Sequence, residues 1–599
     1  MCGIAGIWYV NSKPVEDGST LKEMTDSISH RGPDGEGCWF SNDKTLQLGH
    51  RRLSIIDLTD GGKQPMVSGD KFVIVFNGEI YNYVELKQQL IEKGYSFKSE
   101  SDTEVVLASY EEWGTGCIKH FDGMFAFALY DLAQKKLFCA RDRFGEKPFY
   151  YSFFNGNFYF ASEMKALWAA GVPRDPNHSL FYNYFVHDLV ENPLDQTNTF
   201  FSNIFKLKAA HYFIYNVGTT IDQKKYWELN VNATRDITLS EASDRLMDLL
   251  EGSVKRRLRS DVPVGTSLSG GLDSSTIVAI ISKTLQNNHT FSARFKDFKK
   301  DEGVYIELVR NKFSTKHHDI YINVEDFIGE LDKLILHQEE PFQTGSIFAQ
   351  YCVYRESRKH NIPVMMDGQG ADELLGGYDK DFKFYLRELI QGEKKTEIFL
   401  HKIKENHSIN LAPNFKEGLR HRLPKLYHSI SKFRRMLSVN LPQGINKEFH
   451  KQFQGKALPF YDPDDLKAIL KYELTNDGIE KLLKFADRNS MAHSVEVRLP
   501  FLNHDLVEFM MSLKSELFLF DGWSKAVLRN GMKGILPNEI VYRKDKIGFE
   551  APQSEWIKNQ QLTEMKNDFK SKLINDKIIA SDYSHDWKII IGSKVLYGM

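Results

Sequence analysis

The stretch that decides the fold of the larger part of the chain is SLSGGLDSS, residues 267–275. It follows the apolar run VPVGT (262–266) and precedes TIVAIISKTL (276–285), which together predict a strand, a glycine-rich turn and a buried helix. Glycines let a ligand approach the backbone closely, and the unpaired N–H groups of a helix N-terminus favour an anion. No Gly-Lys-Ser/Thr follows, so the loop is not a Walker A motif. The pattern predicts a phosphate-binding loop; the alternative is a plain glycine turn in which Asp273 caps the helix.

The sequence around this loop alternates helices with short apolar strands from about residue 238 onward. Thr238 and Glu241 have the spacing of a capping box before a long helix. HTFSARF (289–295) and NIPVMMDGQG (361–370) resemble buried parallel strands that end in loops. We therefore predict an α/β domain with a doubly wound parallel sheet and helical additions over residues 238–599.

The first 200 residues have a different sequence pattern, rich in short runs typical of β-strands. Examples are KFVIVFNGEIYN (71–82), GMFAFALYD (123–131) and FYYSFFNGNFYFAS (149–162), the last with an Asn-Gly hairpin signal. This part predicts layered antiparallel sheet, and residues 201–237 are expected to be a connecting segment. A chain of 599 residues is too long for one ordinary core, which agrees with two domains.

Composition limits the partners and the compartment. Hydrophobic residues at 42% and charged residues at 26% are ordinary for a globular protein, which excludes disordered and fibrous classes. A net charge of -2 gives no electrostatic reason to expect nucleic acid or an anionic membrane. The five cysteines show no CxxC spacing, so neither a disulfide framework nor a zinc site is predicted. Without a signal peptide or a membrane-length apolar run, a cytoplasmic location is expected.

The chain begins MCGIAGIW, and Cys2 is either the start of a buried strand or a nucleophile. Removal of the initiator methionine would place a thiol and an α-amino base on one residue. Attack on a carboxamide needs oxyanion donors, which Asn77 and Gly78 can supply. The α-carboxylate of the substrate calls for a guanidinium such as Arg52, and its α-ammonium calls for a carboxylate such as Asp102. Together these residues describe a glutamine site.

In these residues the first half resembles the class II, N-terminal-nucleophile glutamine amidotransferases. The match follows chain order through Cys2, Arg52, the run Asn77, Gly78 and Glu79, and Asp102. The resemblance implies an α+β domain built as an αββα sandwich over about residues 1–200. It also implies that the α-amino group serves as base for the Cys2 thiol and that the other five residues bind glutamine.

The loop at residues 267–275 resembles the pyrophosphate loop of the ATP pyrophosphatases, which cleave ATP between the α and β phosphates. The resemblance implies that Asp273 and, in the acidic loop DGQGADE (367–373), Asp372 hold Mg²⁺. Asp301 and Glu302 are further candidates for contacts with the metal and the nucleotide. The residues implied around ATP are Leu268, Ser269, Gly270, Gly271, Asp273, Ser274, Ser275, Ala293, Asp367 and Gly368.

The two domains in this order resemble the glutamine-dependent asparagine synthetases, and the similarity extends to residues 486–506 and to YRKDKIGF (542–549). The resemblance implies that Lys546 meets the phosphates or the tetrahedral intermediate; the alternative is an ordinary surface lysine. Lys525 and Arg529 are further cationic candidates. The resemblance implies that aspartate is activated as β-aspartyl-AMP and that ammonia from glutamine displaces AMP after crossing an apolar passage. It implies ATP with Mg²⁺ and no other cofactor, and it leaves a homodimer open.

Two departures from the family pattern concern the acceptor. Gln369 stands where many relatives carry a glutamate, and Asn503 replaces an aspartate often found after PFL. The alternative function is therefore amidation of another carboxylate, such as a sugar uronic acid or a cell-wall precursor. A glutaminase without a synthetase partner, or an amidotransferase feeding a sugar, would have no use for SLSGGLDSS, and a noncatalytic scaffold would tolerate its loss.

Overall fold

The computed structural model describes residues 2–598 apart from 16, 233, 286–287, 393–395, 408–410, 412–440, 455–460 and 545–549. In this part of the chain three sheets organise the molecule. Two are antiparallel and belong to the first half, and the third is parallel and belongs to the second. No helix among these residues is both long enough and apolar enough to span a membrane.

The first half contains two six-stranded antiparallel sheets, with strand orders β10-β8-β9-β1-β3-β2 and β12-β11-β7-β6-β5-β4. The strands are β1 (Gly3–Trp8), β2 (Gly35–Phe40), β3 (Leu46–Arg52), β4 (Met66–Ser68), β5 (Phe72–Ile80), β6 (Gly123–Asp131), β7 (Lys136–Arg141), β8 (Tyr150–Phe154), β9 (Asn157–Ala161), β10 (Phe205–Lys206), β11 (His211–Tyr215) and β12 (Lys224–Lys225). The Asn-Gly hairpin predicted between β8 and β9 is present, with positive φ at Asn155 and Gly156.

The two sheets pack face to face, with helices on their outer faces. Ile4, Leu48 and Phe158 of one sheet share a buried cluster with Val75 and Phe213 of the other. The helices of this half are Ser19–Ser27, Tyr83–Glu92, Asp102–Trp113, Met164–Ala169 and His178–His187, with short 3₁₀ turns at Ser29–Arg31, Asp60–Gly62 and Gly114–Lys119. The layering confirms the predicted αββα sandwich.

Residues 201–237 do more than connect the halves, because β10, β11 and β12 extend the two antiparallel sheets. β10 pairs with β8, and β11 pairs with β7 over residues 212–215. The alternation in HYFIY, which places Phe213 and Tyr215 in the core, was a strand signal within this segment. The domain boundaries themselves stay a prediction.

The second half is built on a five-stranded parallel sheet of order β15-β14-β13-β16-β17. Its strands are β13 (Val264–Ser267), β14 (His289–Arg294), β15 (Lys316–Tyr321), β16 (Val364–Met366) and β17 (Glu496–Arg498). The chain winds outward in one direction from β13 to β15 and in the other from β16 to β17. This topology confirms the doubly wound sheet and makes the gap between the ends of β13 and β16 the switch point, where such folds bind ligands.

Helices surround this sheet and form the additions that the sequence predicts. The long helix Leu239–Arg257 begins with the predicted capping box of Thr238 and Glu241. The other helices are Leu272–Ile281, Gly303–Phe313, Val324–Gln338, Ser346–Lys359, Ala371–Leu375, Asp379–Gln391, Thr396–His407, Lys447–Phe453, Leu466–Thr475, Ile479–Met491, His504–Met511, Ser515–Phe518, Ala526–Gly531, Asn538–Val541, Gln553–Trp556, Gln560–Asn575 and Asp586–Tyr597, with 3₁₀ turns at Pro500–Leu502 and Phe520–Gly522.

The two halves meet through an apolar cluster and through buried ion pairs. Leu53, Tyr81 and Met124 of the first half pack with Val364 and Met491 of the second, all at most 4% exposed. We call this group, together with Ile55, the interface cluster. Val364 opens β16, whose far end leads directly into the acidic loop, so the cluster lies on the path between the halves.

Candidate active sites

Cys2 lies immediately before β1 and is 8% exposed. Its backbone nitrogen donates to Oδ1 of Asn77 at 3.0 Å, and its thiol faces the carbonyl oxygen of Leu53 at 4.0 Å. Burial raises the pKa of the Cys2 thiol. A thiol in this surrounding is neutral at pH 7 and needs a base beside it to become a nucleophile.

Asn77 and Gly78 lie side by side on β5, opposite β6. Asn77 is fully buried, and its Nδ2 has no hydrogen-bond partner among the described residues. A Cβ at Gly78 would lie 2.1 Å from the carbonyl oxygen of Met124, so only glycine fits there. Because its Oδ1 already holds the nitrogen of Cys2, the free amide donor of Asn77 is available to an oxyanion next to the thiol.

A group of carboxylates completes the thiol site. Asp102 accepts a hydrogen bond from the backbone N–H of Ile80 at 2.9 Å, while Ser101 rather than Asp102 caps the following helix. Burial raises the pKa of Asp102 to about 6, and burial together with the charges of Glu496 and Asp102 raises the pKa of Glu79 well above its ordinary value. Oε2 of Glu79 has no partner in the described part of the chain. A cation bound beside these two side chains would favour their ionised forms.

Arg52 ends β3, and its guanidinium donates to the carbonyl oxygens of Asp57 and of Thr59, the latter at 2.8 Å. These two bonds fix the side chain against the loop after β3. The charge of Arg52 acts on the Cys2 thiol and lowers its pKa against the stronger effect of burial. The structure therefore brings Cys2, Arg52, Asn77, Glu79 and Asp102 together.

The second site is a cavity of about 270 Å³ at the switch point of the parallel sheet. Its walls come from the loop after β13, the acidic loop after β16 and several helices of the second half. The predicted nucleotide residues that line it are Leu268, Ser269, Gly271, Asp273, Ser274, Asp367, Gly368 and Asp372. A Cβ at Gly368 would lie 2.9 Å from the backbone nitrogen of Ser274, so the two loops pack in direct contact.

Two carboxylates and one lysine lie close together in the wall of this cavity. Nζ of Lys525 lies 2.5 Å from Oδ2 of Asp273 and 2.6 Å from Oδ1 of Asp372. Among the described residues there is no cluster of three or more His, Cys, Asp or Glu side chains suited to a metal. Mg²⁺ is usually held by one or two carboxylates together with substrate phosphates, and the pair Asp273 and Asp372 fits that mode.

Three predicted nucleotide residues do not line the cavity. Gly270 has φ +73°, and a Cβ there would lie 2.7 Å from Cβ of Tyr305, so its role is to let the loop pass close to helix Gly303–Phe313. Ser275 is fully buried one turn into its helix, and Ala293 lies within β14. The acidic candidates Asp301 and Glu302 also lie outside the lining and are engaged by Arg294 and Arg543.

The two departures in the sequence have different surroundings. Gln369 lines the cavity, and its Oε1 is buried without a partner in the described ranges. Asn503 is buried and accepts a hydrogen bond from the backbone N–H of Leu506 at 3.1 Å, which caps helix His504–Met511. An asparagine serves as N-cap as well as an aspartate does, so Asn503 has a structural explanation.

Some cavity residues were not predicted, and one prediction stays untested. Lys525 and Arg529 line the cavity, and burial lowers the pKa of Arg529 to about 10. Lys546 lies outside the described residues. Gln350 and His407 line the cavity as well, but they come from distant segments and no local motif pointed to them. Arg543, which also lines it, lies within the stretch YRKDKIGF but was not singled out there.

Models of two known protein families match the two halves of the chain, one for each site. The family model of the glutamine amidotransferase domain matches residues 1–227, and the asparagine synthase model matches residues 245–582. The chain belongs to the asparagine synthase family. It is therefore an enzyme of glutamine-dependent amidation, as the paired motifs predicted.

Three curated relatives match over nearly the whole chain. Asparagine synthetase [glutamine-hydrolyzing] 1 of Bacillus subtilis is 30% identical over 97% of this chain and 92% of its own length. Asparagine synthetase [glutamine-hydrolyzing] 3 of the same organism is 32% identical over 93% of this chain and 89% of its own. Amidase chry2 of Gibberella zeae is 26% identical over 93% of this chain and 90% of its own.

Proposed function

We propose that the chain makes asparagine from L-aspartate, ATP and glutamine, with release of AMP, pyrophosphate and glutamate. The observation that carries the proposal is the arrangement at the switch point, where Asp273 of the glycine-rich loop and Asp372 of the acidic loop both pair with Lys525. This is a site for a triphosphate with its cation, and the thiol site in the other half supplies a nitrogen donor. Mg²⁺ with ATP is the proposed cofactor.

In the first half, Cys2 attacks the carboxamide carbon of glutamine. Once Met1 is removed, the nitrogen on Oδ1 of Asn77 becomes an α-amino group, which takes the thiol proton. Nδ2 of Asn77 then donates to the oxyanion, and the same amino group returns the proton to the departing ammonia. Water then hydrolyses the γ-glutamyl thioester, which releases glutamate and restores the Cys2 thiol. Asp102 and Glu79 bind the α-ammonium of glutamine, and Arg52 binds its α-carboxylate.

In the second half, the residues of the cavity orient the acceptor carboxylate toward the α-phosphorus. The carboxylate oxygen forms a bond to phosphorus, and the bond to the β-phosphate oxygen breaks, which gives β-aspartyl-AMP and pyrophosphate. Mg²⁺, held by Asp273 and Asp372, would balance the phosphate charge. Lys525, Arg529 and Lys546 are the proposed cations around the leaving pyrophosphate. Ammonia then attacks the acyl carbon and AMP leaves.

The interface cluster offers the route for ammonia between the two sites. Its Leu53 carries the carbonyl that faces the Cys2 thiol, and its Val364 begins β16, which is followed directly by the cavity residue Asp367. Val364 and Asp367 are three residues apart, or about 10 Å along a strand. Apolar walls disfavour the charged ammonium, so nitrogen crosses as neutral, nucleophilic ammonia.

A second acceptor class is supported by Gln369. Its neutral amide lines the cavity with an unpaired buried oxygen, and such a group selects a ligand that presents a hydrogen-bond donor. A sugar uronic acid, with hydroxyl groups beside its carboxylate, offers donors as the α-ammonium of aspartate does. Amidation of a uronate or a cell-wall precursor is therefore the second candidate function.

The product analysis that tests the proposal uses glutamine, MgATP and either aspartate or a uronate. We expect asparagine, glutamate, AMP and pyrophosphate in equal amounts from the aspartate reaction. ADP and orthophosphate would contradict adenylation at the cavity. An amide formed from the uronate but not from saturating aspartate would replace the first candidate by the second.

A further inference from the structure

The backbone of Cys2 is held by a fully buried arginine. Nε of Arg31 donates to the carbonyl oxygen of Cys2 at 3.0 Å. The two Nη atoms form a fork on Asp487, at 2.8 Å from Oδ2 and 3.1 Å from Oδ1, and Nη1 also donates to Glu163 at 2.7 Å. Arg31 therefore joins the residue that carries the thiol to a carboxylate of the other half of the chain.

Asp487 lies on helix Ile479–Met491 and is 3% exposed. Burial alone would raise the pKa of its carboxyl, but the charges of Arg31 and Lys147 outweigh this and hold the pKa below its ordinary value. The carboxylate is thus ionised at neutral pH, and its fork to Arg31 is a charge-assisted pair shielded from solvent. Such a pair fixes geometry because the planar guanidinium accepts few orientations.

We propose that Asp487 is a positioning residue for the glutamine site. It holds Arg31, Arg31 holds the carbonyl of Cys2, and the direction of the thiol toward the carboxamide is fixed as a result. A displacement of about 1 Å at a reacting group costs about a hundredfold in rate. Loss of this support should therefore lower the rate of glutamine hydrolysis at the thiol. The inference rests on the proposed role of Cys2 as nucleophile.

The same helix offers a control for the general effect of an interface ion pair. Glu480 is 5% exposed, pairs with Arg141 at 2.7 Å and with Lys206 at 3.1 Å, and so also joins the two halves. Among the described residues, neither Arg141 nor Lys206 forms a hydrogen bond with Cys2. Asp487 and Glu480 therefore differ in their link to Cys2, while they share helix, burial and charge.

The experiment compares Asp487→Asn with Glu480→Gln in the full-length chain. For each variant, glutaminase kcat and KM are measured beside ammonium-dependent AMP formation and the thermal midpoint. We expect Asp487→Asn to lower glutaminase kcat about 10–100-fold while ammonium-dependent AMP formation stays within about twofold of wild type. Glu480→Gln is expected to change glutaminase kcat less than about twofold at a similar thermal midpoint.

Equal losses in the two variants, or parallel losses of both activities in Asp487→Asn, would assign Asp487 to general stability and overturn the proposal. Should Asp487→Asn not fold, Arg31→Lys tests the same link, since lysine keeps the charge but loses the fork, and the same selective loss is expected. Cys2→Ala distinguishes a failure of the proposed function from a failure of this inference. If it keeps glutaminase activity, the proposed function fails; if it is inactive while Asp487→Asn is normal, this inference alone fails.

Discussion

Lys525 and Asp273 form a partly buried ion pair in the wall of the nucleotide cavity, with Nζ and Oδ2 2.5 Å apart. Burial acts to lower the pKa of Lys525, but the charges of Asp273 and Asp372 outweigh it and raise the pKa. The lysine is therefore charged, and it compensates two carboxylates that would otherwise repel each other. This compensation places two carboxylates close together, where they could receive a cation.

The first prediction concerns Asp273. Asp273→Asn keeps the size of the side chain but removes one of the two charges proposed to hold Mg²⁺, so pyrophosphate release should fall by about two orders of magnitude or more. Glutamine hydrolysis should persist, because Cys2 lies in the other half. Assays of pyrophosphate and glutamate on one preparation check this, and a parallel loss of both would place Asp273 outside adenylation.

The second prediction concerns Lys546, a proposed cation around the leaving pyrophosphate. Lys546→Ala should lower amide synthesis about 100–1000-fold, since removal of one well-placed charge costs several kcal/mol in a transition state. Lys558, an exposed lysine paired with Glu555 at 2.9 Å, is the control, and Lys558→Ala should leave synthesis unchanged. Similar rates in the two variants would remove Lys546 from the site.

The third prediction uses the pKa of Asp102, which burial raises to about 6. The ionised carboxylate is the form proposed to bind the α-ammonium of glutamine, so binding should be full above pH 6 and weaken as the pH falls through 6. The KM for glutamine should rise about tenfold per pH unit below that point. Asp102→Asn should give a high KM at every pH. A KM that stays flat down to pH 5 would disprove the assignment.

The fourth prediction tests the ammonia route through the interface cluster. Met124 is fully buried in the cluster, and Met124→Phe inserts a larger, rigid side chain. Glutamine hydrolysis should continue, but the ratio of amide formed to glutamate formed should fall below one as ammonia escapes. Met510 is equally buried outside the cluster, and Met510→Phe should keep the ratio of wild type. Unchanged ratios in both variants would place the route elsewhere.

Much of the architecture could be predicted because local signals agreed with the global fold. The glycine loop after an apolar strand placed Asp273 at a helix N-terminus, and the parallel strands β13 and β16 brought Asp372 to the same edge. The residues of the thiol site were found one motif at a time, and the sheets brought them together. Residue type and spacing were enough to predict these features, because each motif forms a single local turn or strand.

Other features lay beyond sequence reasoning because they depend on contacts between distant segments. Arg31 and Asp487 are 456 positions apart, and neither occupies a local pattern that marks a buried charge. The close approach of Gly270 to Tyr305 of helix Gly303–Phe313 is likewise a contact between distant segments, and the predicted phosphate contact of Gly270 stays a prediction. The strands within residues 201–237 are only two to five residues long, so their pairing depends on the sheets they join.

The most direct test of the account is the activity of Cys2→Ala with two nitrogen sources. With glutamine, aspartate and MgATP, the variant should form no asparagine, because the thiol is the proposed nucleophile. With ammonium at high pH it should form asparagine and AMP near the wild-type rate, because the cavity of the second half is untouched and more of the nitrogen is neutral ammonia. Full glutamine-dependent synthesis by Cys2→Ala, or by protein shown by mass spectrometry to retain Met1, would contradict the account.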